Sequence, residues 1–238
     1  MTSSAYISNG NQVSFLLLSG GIGRRSGAEV PKQFVTLNNQ PIISYSLIAA
    51  DNTPEILEII VNAPDGYHDQ TVALLDEYVS KTPARVVSAG YDRQESVHIL
   101  CQEAQYGTVI LHEAARPMIT PKVIQNLLDH PKPNVGYCAP ISFSMCKVDY
   151  ETGKIVGSVK RSDTQNIQLP QKFNQPTLLE AHSKAANMKE RFTEDALLCL
   201  DVLGTDVYFC EGEQTNIKIT TPEDFLVVLD FLPTKMST

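Results

Sequence analysis

The sequence lacks the cysteine and histidine patterns of disulfide frameworks and zinc sites. Its 238 residues contain five cysteines, an odd number, and no C-x-x-C pair, so neither a disulfide framework nor a zinc knuckle is expected. The histidines are widely spaced, and no H-E-x-x-H motif is present. A chain of this length can bury a core without disulfides or a structural metal. Free thiols are therefore expected, and a reducing cytoplasm is the expected compartment.

Long apolar runs and clusters of like charge are also lacking. No apolar run approaches the roughly 18 residues of a membrane-spanning helix, and the first 14 residues contain no Lys or Arg. We therefore expect neither a transmembrane helix nor a signal peptide. The formal net charge is -8, which argues against nucleic acid or anionic lipid as a partner. An anionic ligand would have to meet a local cationic pocket.

Short apolar segments alternate with helical patterns over the first half of the chain. The apolar run at residues 13–18 stops at Ser19-Gly20-Gly21, as expected for a buried strand that enters a glycine turn. The alternation predicts an open α/β sheet of mostly parallel strands, with helices on both faces and ligands at the carboxyl ends of the strands. The predicted strands cover residues 13–18, 56–62, 85–88 and 108–112, and the predicted helices cover 42–50, 67–80 and 93–105.

The pattern changes after Pro140. Residues 141–173 are polar and contain two short strand patterns joined by a turn at Thr152-Gly153, which predicts a projecting β arm within a single domain of residues 1–238. The α/β pattern then resumes, and the broad apolar face of its last helix is expected to join the core. The resumed elements are helices at 176–187, 195–203 and 222–231 and strands at 207–211 and 217–220.

The glycine turn after the first strand is a candidate phosphate loop. Gly20, Gly21 and Gly23 would let backbone N–H groups approach phosphate oxygens, and Arg24 and Arg25 would add charge. Two common fingerprints fail, because Ser26 stands where a dinucleotide loop needs glycine and no G-x-x-x-x-G-K-[ST] pattern fits. Taken alone, the turn could equally be structural.

A second basic motif, Pro31-Lys32-Gln33, follows this loop. A rigid proline before Lys32 suggests a second fixed positive charge beside the glycine turn, in a chain that is acidic as a whole. A solvated basic loop is the alternative interpretation.

With these motifs in place, the sequence resembles the cytidylyltransferases that make CDP-methylerythritol or CDP-ribitol. The loop G-x-G-R-R followed by P-K-Q looks like the family's nucleotide loop. Three further segments match in order between about residue 14 and residue 232, so the resemblance covers essentially the whole chain. They are A-G-Y-D-R-Q-E-S-V at 89–97, L-H-E-A-A-R-P at 111–117, and E-G at 211–212 followed by N-I-K-I-T-T-P-E-D at 216–224.

The resemblance implies an open, mostly parallel Rossmann-like nucleotidyltransferase sheet and a set of site residues. The implied catalytic cations are Arg25, Lys32 and Lys218, which would stabilise the anionic transition state. The implied nucleotide-binding residues are Ser19, Gly20, Gly21, Gly23, Gly90, Arg93 and Ser96. The implied acceptor-binding residues are Glu113, Arg116, Ser144 and Arg161.

Some of these acceptor residues have plainer interpretations. Arg116 could be a surface ion pair at a strand end, Glu113 a structural carboxylate, and Arg161 a solvated hairpin charge. The sequence also departs from the family's usual pattern at three positions on the acceptor side. Glu113 replaces the usual Asp, Phe143-Ser144 replaces Asp-Thr, and Leu169 replaces the Thr before Pro-Gln.

The resemblance implies a homodimeric enzyme that uses CTP and Mg²⁺ to convert a polyol phosphate to a CDP-polyol and pyrophosphate. The Mg²⁺ ion would be held mainly by the CTP phosphates, with Glu113 as a candidate ligand, and Arg161 would reach across the dimer to the acceptor phosphate. The leading acceptor is 2-C-methyl-D-erythritol 4-phosphate, and ribitol 5-phosphate or another pentitol phosphate is the alternative.

Two hypotheses of other classes remain at this point. A non-catalytic nucleotide-binding protein would have little use for cations such as Lys32 and Lys218 at the transferring phosphorus. A dinucleotide oxidoreductase is disfavoured by Ser26, and by Asn62 where an acidic residue would close the second strand.

Overall fold

A computed structural model of the chain describes residues 12–21, 30–188 and 191–232. The eleven strands of these residues are β1 (Val13–Leu18), β2 (Thr36–Leu37), β3 (Gln40–Pro41), β4 (Ile56–Ala63), β5 (Ala84–Ser88), β6 (Thr108–Glu113), β7 (Val135–Pro140), β8 (Cys146–Asp149), β9 (Lys154–Ser158), β10 (Gln165–Asn174) and β11 (Tyr208–Glu211). The α-helices are α1 (Ile42–Asp51), α2 (His68–Tyr78), α3 (Arg93–Glu103), α4 (Pro121–Asp129), α5 (Gln175–Ala185), α6 (Asp195–Leu203) and α7 (Pro222–Phe231). Two 3-10 turns span Lys32–Phe34 and Arg161–Asp163.

Seven strands form one central sheet in the order β11-β7-β10-β6-β1-β4-β5. The pairs β1–β4, β1–β6, β4–β5 and β7–β11 are parallel, whereas β10 is antiparallel to both β6 and β7. The prediction of an open, mostly parallel sheet is confirmed. In this order, β1, β4, β5 and β6 are neighbours and run in the same direction, so their carboxyl ends meet at one edge.

Helices cover both faces of the sheet because the central strands are apolar on both sides. Phe15 and Leu17 of β1 belong to one buried cluster, which is completed by residues of α1, α2 and α4. Leu16 belongs to the opposite cluster, with residues of α3, α5 and α6. Among the described residues, no helix combines the length and the apolar character that crossing a membrane requires.

The β arm covers fewer residues than the predicted range of 141–173, because it ends where β10 begins at Gln165. The β8–β9 ribbon is present, and its turn includes Gly153 as predicted, but residues 165–173 belong to β10 inside the central sheet. The prediction was wrong there because β10 is polar in sequence. Its Gln168, Gln171 and Lys172 are nevertheless buried, and each donates a hydrogen bond, to the Glu213 carbonyl, the Glu194 carboxylate and the His130 carbonyl, respectively.

Two other predictions for the C-terminal third differ from the structure. Residues 217–220 form no strand; they lie beside the β6 loop, where the Ile219 amide donates to the Ala115 carbonyl at 2.9 Å. The apolar face of α7 is only partly in the core. Val228 is buried in a small cluster with Ile42 and Ile219, while Leu226 and Phe231 stay 71% and 48% exposed.

Candidate active site

A cavity of about 440 Å³ opens where the carboxyl ends of β1, β5 and β6 meet. This is the edge at which open α/β sheets bind ligands. Segments far apart in sequence contribute to its wall because parallel strands all end there. The lining residues are Leu18, Ser19, Gly20, Gly21, Lys32, Gln33, Gly90, Tyr91, Asp92, Arg93, Ser96, Glu113, Ala114, Ala115, Lys218 and Thr220.

The side chains of Asn62 and Gln33 fix the conformation of the turn after β1. The Ser19 amide donates to Asn62 Oδ1 at 2.7 Å, and Gln33 Nε2 donates to the carbonyls of Ser19 and Gly21. A Cβ atom at Gly20 would lie 2.4 Å from the Ala89 side chain, so glycine is needed for this close approach. Gln33 also lines the cavity, and the sequence motif alone does not predict its hydrogen bonds to this turn.

Part of the predicted phosphate loop lies outside the residues that the structure describes. Gly23, Arg24 and Arg25 lie outside the described residues, so their assignment stays a prediction. The described part of the loop, Ser19 to Gly21, lies on the cavity wall.

The turn after β5 supplies the second wall of the cavity. Asp92 caps α3 by accepting from the Glu95 amide at 2.8 Å. The Ser96 hydroxyl donates to the Asp92 carbonyl and accepts from the Gly90 amide at 3.0 Å. A Cβ atom at Gly90 would lie 2.6 Å from the Ser96 amide. The close contact between Gly90 and Ser96 therefore fixes the conformation of this turn. Arg93 follows the turn and lines the cavity.

Glu113, the last residue of β6, is surrounded by cations. Lys218 Nζ lies 2.8 Å and Arg93 Nε 3.3 Å from its Oε1, and Arg116 Nε lies 3.5 Å from its Oε2. The Glu113 side chain is only 9% exposed. Burial raises its pKa, but the three positive charges outweigh that effect and lower the pKa to about 2. The side chain is therefore an anchoring carboxylate at neutral pH.

The two described lysines of the predicted catalytic set meet at one wall. Lys32 Nζ donates to the Ile219 carbonyl at 2.6 Å, next to Lys218 in the chain. Lys218 and Ile219 belong to a segment that is fixed by Asp224, whose carboxylate accepts hydrogen bonds from the Thr220 and Thr221 amides at 2.7 and 2.8 Å. Lys218 keeps 39% of its side chain exposed, so its charge can reach a ligand in the cavity.

Arg116 is tied down behind this wall. Its Nη1 donates to the Asn216 carbonyl at 2.8 Å, and His112 Nε2 hydrogen-bonds the Arg116 carbonyl at 3.1 Å. Burial lowers the pKa of His112 to about 3, so the imidazole is neutral and its N–H is the donor to that carbonyl. His112 thus fixes the backbone of the turn after β6. The Arg116 side chain contacts both the Glu113 carboxylate and the Asn216 carbonyl.

The arm residues of the predicted acceptor site lie apart from the cavity. Ser144 and Arg161 are not among the described residues that line it. Arg161 is exposed, and its Nη1 donates to the Ser142 carbonyl at 3.3 Å. Phe143 is 78% exposed, whereas Leu169 is buried at 2%. The structure therefore brings together the described residues of the predicted nucleotide set and does not bring the arm to them.

The cavity offers few ligands for a divalent cation. Among the described residues, no group of three or more His, Cys, Asp or Glu side chains is arranged to hold a metal. Glu113 has one carboxylate oxygen, Oε2, that accepts no hydrogen bond from the described residues. One carboxylate with substrate phosphates is a common Mg²⁺ arrangement. The residues present fit a metal that is held mainly by a bound triphosphate.

Comparison with known families agrees with this geometry. A profile of the family described as 2-C-methyl-D-erythritol 4-phosphate cytidylyltransferase matches residues 13–232. The chain belongs to this family. Two curated members of the cytidylyltransferase family show the extent of the similarity. The Bacillus cereus protein is 35% identical over 92% of this chain and 97% of its own, and the Clostridium perfringens protein is 32% identical over 93% and 99%.

Solved structures of cytidylyltransferases share the fold. The Thermus thermophilus enzyme, titled 2-C-methyl-D-erythritol 4-phosphate cytidylyltransferase, superposes with a TM-score of 0.72 at 25% identity, over 92% of this chain and 98% of its own. The Anaerococcus prevotii protein, titled 4-diphosphocytidyl-2C-methyl-D-erythritol synthase, has a TM-score of 0.81 at 21% identity, over 93% and 96%. The latter likeness shows the fold alone.

Proposed function

We propose that the protein transfers a cytidylyl group from CTP to 2-C-methyl-D-erythritol 4-phosphate and releases pyrophosphate. The observation that carries the proposal is the gathering of Lys32, Lys218 and Arg93 at a cavity on the carboxyl edge of the sheet, in a chain that matches this cytidylyltransferase family from residue 13 to 232. Curated relatives of that name cover more than nine tenths of the chain.

The reaction is an in-line displacement at the α-phosphorus of CTP. An oxygen of the acceptor phosphate forms the new P–O bond, the bond between the α-phosphorus and the bridging oxygen to the β-phosphorus breaks, and pyrophosphate leaves with the electron pair. The acceptor phosphate is mostly dianionic at pH 7, because its second pKa is about 6. The nucleophile therefore needs positioning more than it needs a base.

The protein's contribution is electrostatic. Lys32 and Lys218 line the cavity, and we propose that they face the negative charge that develops on the transferring and leaving groups, where fixed cations lower the barrier without reorganising. Glu113 is a poor general base, since its pKa is about 2, but it fixes Lys218 at 2.8 Å. Arg25 completes the proposed set of catalytic cations, and the backbone amides of Gly20 and Gly21 are proposed to meet phosphate oxygens.

We assign a divalent cation, Mg²⁺ in the first instance, to the bound triphosphate. When bound, such an ion neutralises phosphate charge and polarises the phosphoryl oxygens. Glu113 lines the cavity and is the carboxylate that we propose as its contact with the protein. The free thiols fit a reducing compartment, so we place the reaction in the cytoplasm.

The arm is proposed to complete the site of a second subunit. Several of its apolar side chains face solvent in one subunit: Phe143, Tyr150, Ile155 and Val156 are 78%, 94%, 73% and 61% exposed. Exposed apolar ribbons favour a partner that covers them, and a two-fold dimer is the simplest such partner. In that dimer, Arg161 would contact the acceptor phosphate in the neighbouring cavity.

The test is pyrophosphate release with CTP against a panel of polyol phosphates. We expect 2-C-methyl-D-erythritol 4-phosphate to be the best acceptor, ahead of ribitol 5-phosphate, with the CDP-polyol identified by ³¹P NMR. We also expect CTP to exceed ATP and GTP by orders of magnitude, because a site that hydrogen-bonds one base leaves polar groups unpaired with another. No pyrophosphate with any acceptor, or equal turnover of ATP, would overturn the proposal.

A further inference from the structure

Behind the cavity, three ionisable side chains from different helices form a buried chain of hydrogen bonds. Arg93 of α3 donates through Nη2 to Asp195 Oδ2 at 2.7 Å, and His182 of α5 lies with Nε2 2.9 Å from Asp195 Oδ1. The side chains of His182 and Asp195 are each 1% exposed, while that of Arg93 is 25% exposed. The chain therefore runs from a dry interior to a guanidinium that lines the cavity.

Arg93 is held between two carboxylates. Its Nη2 contacts Asp195, and its Nε lies 3.3 Å from Glu113 Oε1. A guanidinium bound on two of its nitrogens has a fixed plane, so its remaining N–H groups point in fixed directions. This fixed orientation is what a ligand entering the cavity would meet.

The charges show what Asp195 does for Arg93. Glu113 Oε1 is shared by Arg93 and Lys218, and Lys218 is the closer of the two at 2.8 Å. Without the negative charge of Asp195, Glu113 would be the ion-pair partner left to Arg93 among the described residues, and the guanidinium would move towards it. Burial raises the pKa of Asp195, but the charge of Arg93 and the hydrogen bond from His182 outweigh that effect and hold the pKa well below its usual range.

His182 orients Asp195 in turn. Because the carboxylate can only accept, the imidazole donates its Nε2–H to Oδ1, which leaves Oδ2 facing Arg93. Asp195 is also the first residue of α6, so its backbone is fixed by that helix. Both carboxylate oxygens are thereby committed to named donors.

We propose that Asp195, oriented by His182, is a positioning residue that holds the Arg93 guanidinium in the orientation that the nucleotide requires. This inference rests on the proposed function, since it takes CTP as the ligand of the cavity. It assigns roles to two residues that do not line the cavity and that lie 102 and 89 positions from Arg93 in the sequence.

The test uses the full-length protein and four variants. Asp195→Asn keeps the shape and removes the charge. His182→Gln keeps an N–H donor for Asp195, and His182→Leu removes it. His98→Leu is the matched control, because the His98 ring packs against the His182 ring, with centroids 6.1 Å apart, and its hydrogen bond is to Ser183. CTP binding is measured by calorimetry, KM and kcat by pyrophosphate release, and Arg93 rotation by ¹⁵N NMR of the guanidinium.

A positioning role predicts a specific split between KM and kcat. Asp195→Asn should raise the Kd and KM for CTP about tenfold, the scale of one charge-assisted hydrogen bond, while kcat changes about threefold or less. His182→Leu should raise Kd about threefold to tenfold, and His182→Gln should return it to within about twofold of wild type, with His98→Leu unchanged. The guanidinium of Arg93 should rotate slowly in wild type and His182→Gln, and faster in Asp195→Asn, where Glu113 is still in contact with Nε.

A purely structural role predicts something else. If Asp195→Asn lowers the melting temperature but binds CTP within about twofold of wild type with unchanged Arg93 signals, the positioning role is wrong. If that variant does not fold, the comparison of His182→Leu with His182→Gln decides. Equal CTP affinity of these two variants overturns the inference. A wild-type protein that does not bind CTP would overturn the proposed function, and the NMR comparison, which needs no CTP, would still test the positioning of Arg93.

Discussion

Charged residues in the cavity and in the arm have opposite environments. In the cavity, Glu113 is nearly buried and contacts three cations, so each charge depends on the others. In the arm, Lys160 and Asp163 form a pair at 2.9 Å with side chains 76% and 61% exposed, and an exposed pair contributes little stability. A change in the cavity should therefore alter function within one subunit, whereas a change in the arm should act only through a partner.

The largest expected effect is the loss of a cavity cation. Lys218→Ala should lower kcat about 100- to 1000-fold, because one contact made in the transition state is commonly worth roughly 2.7–4 kcal/mol. CTP affinity should fall much less. Steady-state kinetics and calorimetry measure the two quantities separately. Lys184→Ala, at an exposed lysine paired with Glu180, is the control and should behave as wild type. A loss of tenfold or less in both quantities would contradict the assignment of Lys218.

Removing the anchor should be less severe than removing the cation. Glu113→Gln keeps the size of the side chain but removes the charge that fixes Lys218 and Arg93, and we expect kcat/KM to fall about 10- to 100-fold. Glu113→Asp keeps the charge and should retain more activity. Equal kcat/KM for the Gln and Asp variants would show that the charge of this residue is not what the site uses.

The arm of one subunit should act at the cavity of the other subunit. Arg161→Ala should raise the KM for the acceptor about tenfold, and the protein should be a dimer by light scattering. At an acceptor concentration well below KM, mixing Arg161→Ala subunits with Lys32→Ala subunits should give about a quarter of the wild-type activity, since half of the dimers are hybrids and each hybrid has one intact site. A monomer at micromolar concentration, or a mixture no more active than the mean of its two parents despite verified subunit exchange, would remove the arm from the mechanism.

The smallest expected effect is on acid stability. The pKa of Glu113 is lowered from 4.5 to about 2 on folding, so its contribution to stability is present above pH 4.5 and is lost as the pH falls towards 2. Urea unfolding of wild type and Glu113→Gln should show a steeper loss of stability in wild type over that range. Asp65→Asn, at an exposed carboxylate in a loop, is the control. Parallel curves for wild type and Glu113→Gln would contradict the low pKa.

Much of the fold and the cavity could be predicted because the signals are local. The glycine turn after β1, the β5 turn with Gly90 and Ser96, and Glu113 at the end of β6 each follow a strand pattern, and parallel strands bring such ends together. The family resemblance then linked them to Lys218.

The misses have physical reasons. Strand β10 looks like an exposed arm in sequence because its Gln168, Gln171 and Lys172 are polar, and only tertiary partners explain their burial. The apolar residues of α7 predict core packing, yet Leu226 faces solvent at 71% exposure. Arg93 and Asp195 lie 102 positions apart in the sequence, so no local sequence pattern predicts their contact.

The most direct test of the account is a crystal structure of the protein with CTP and Mg²⁺. The account predicts that the triphosphate lies between the Gly20-Gly21 turn and Lys218, with the cytosine against residues 90–96 and Arg93 still bound to Asp195. A nucleotide bound outside this cavity, or a triphosphate that contacts neither Lys32 nor Lys218, would contradict the claim that the carboxyl edge of the sheet is where the cytidylyl group is transferred.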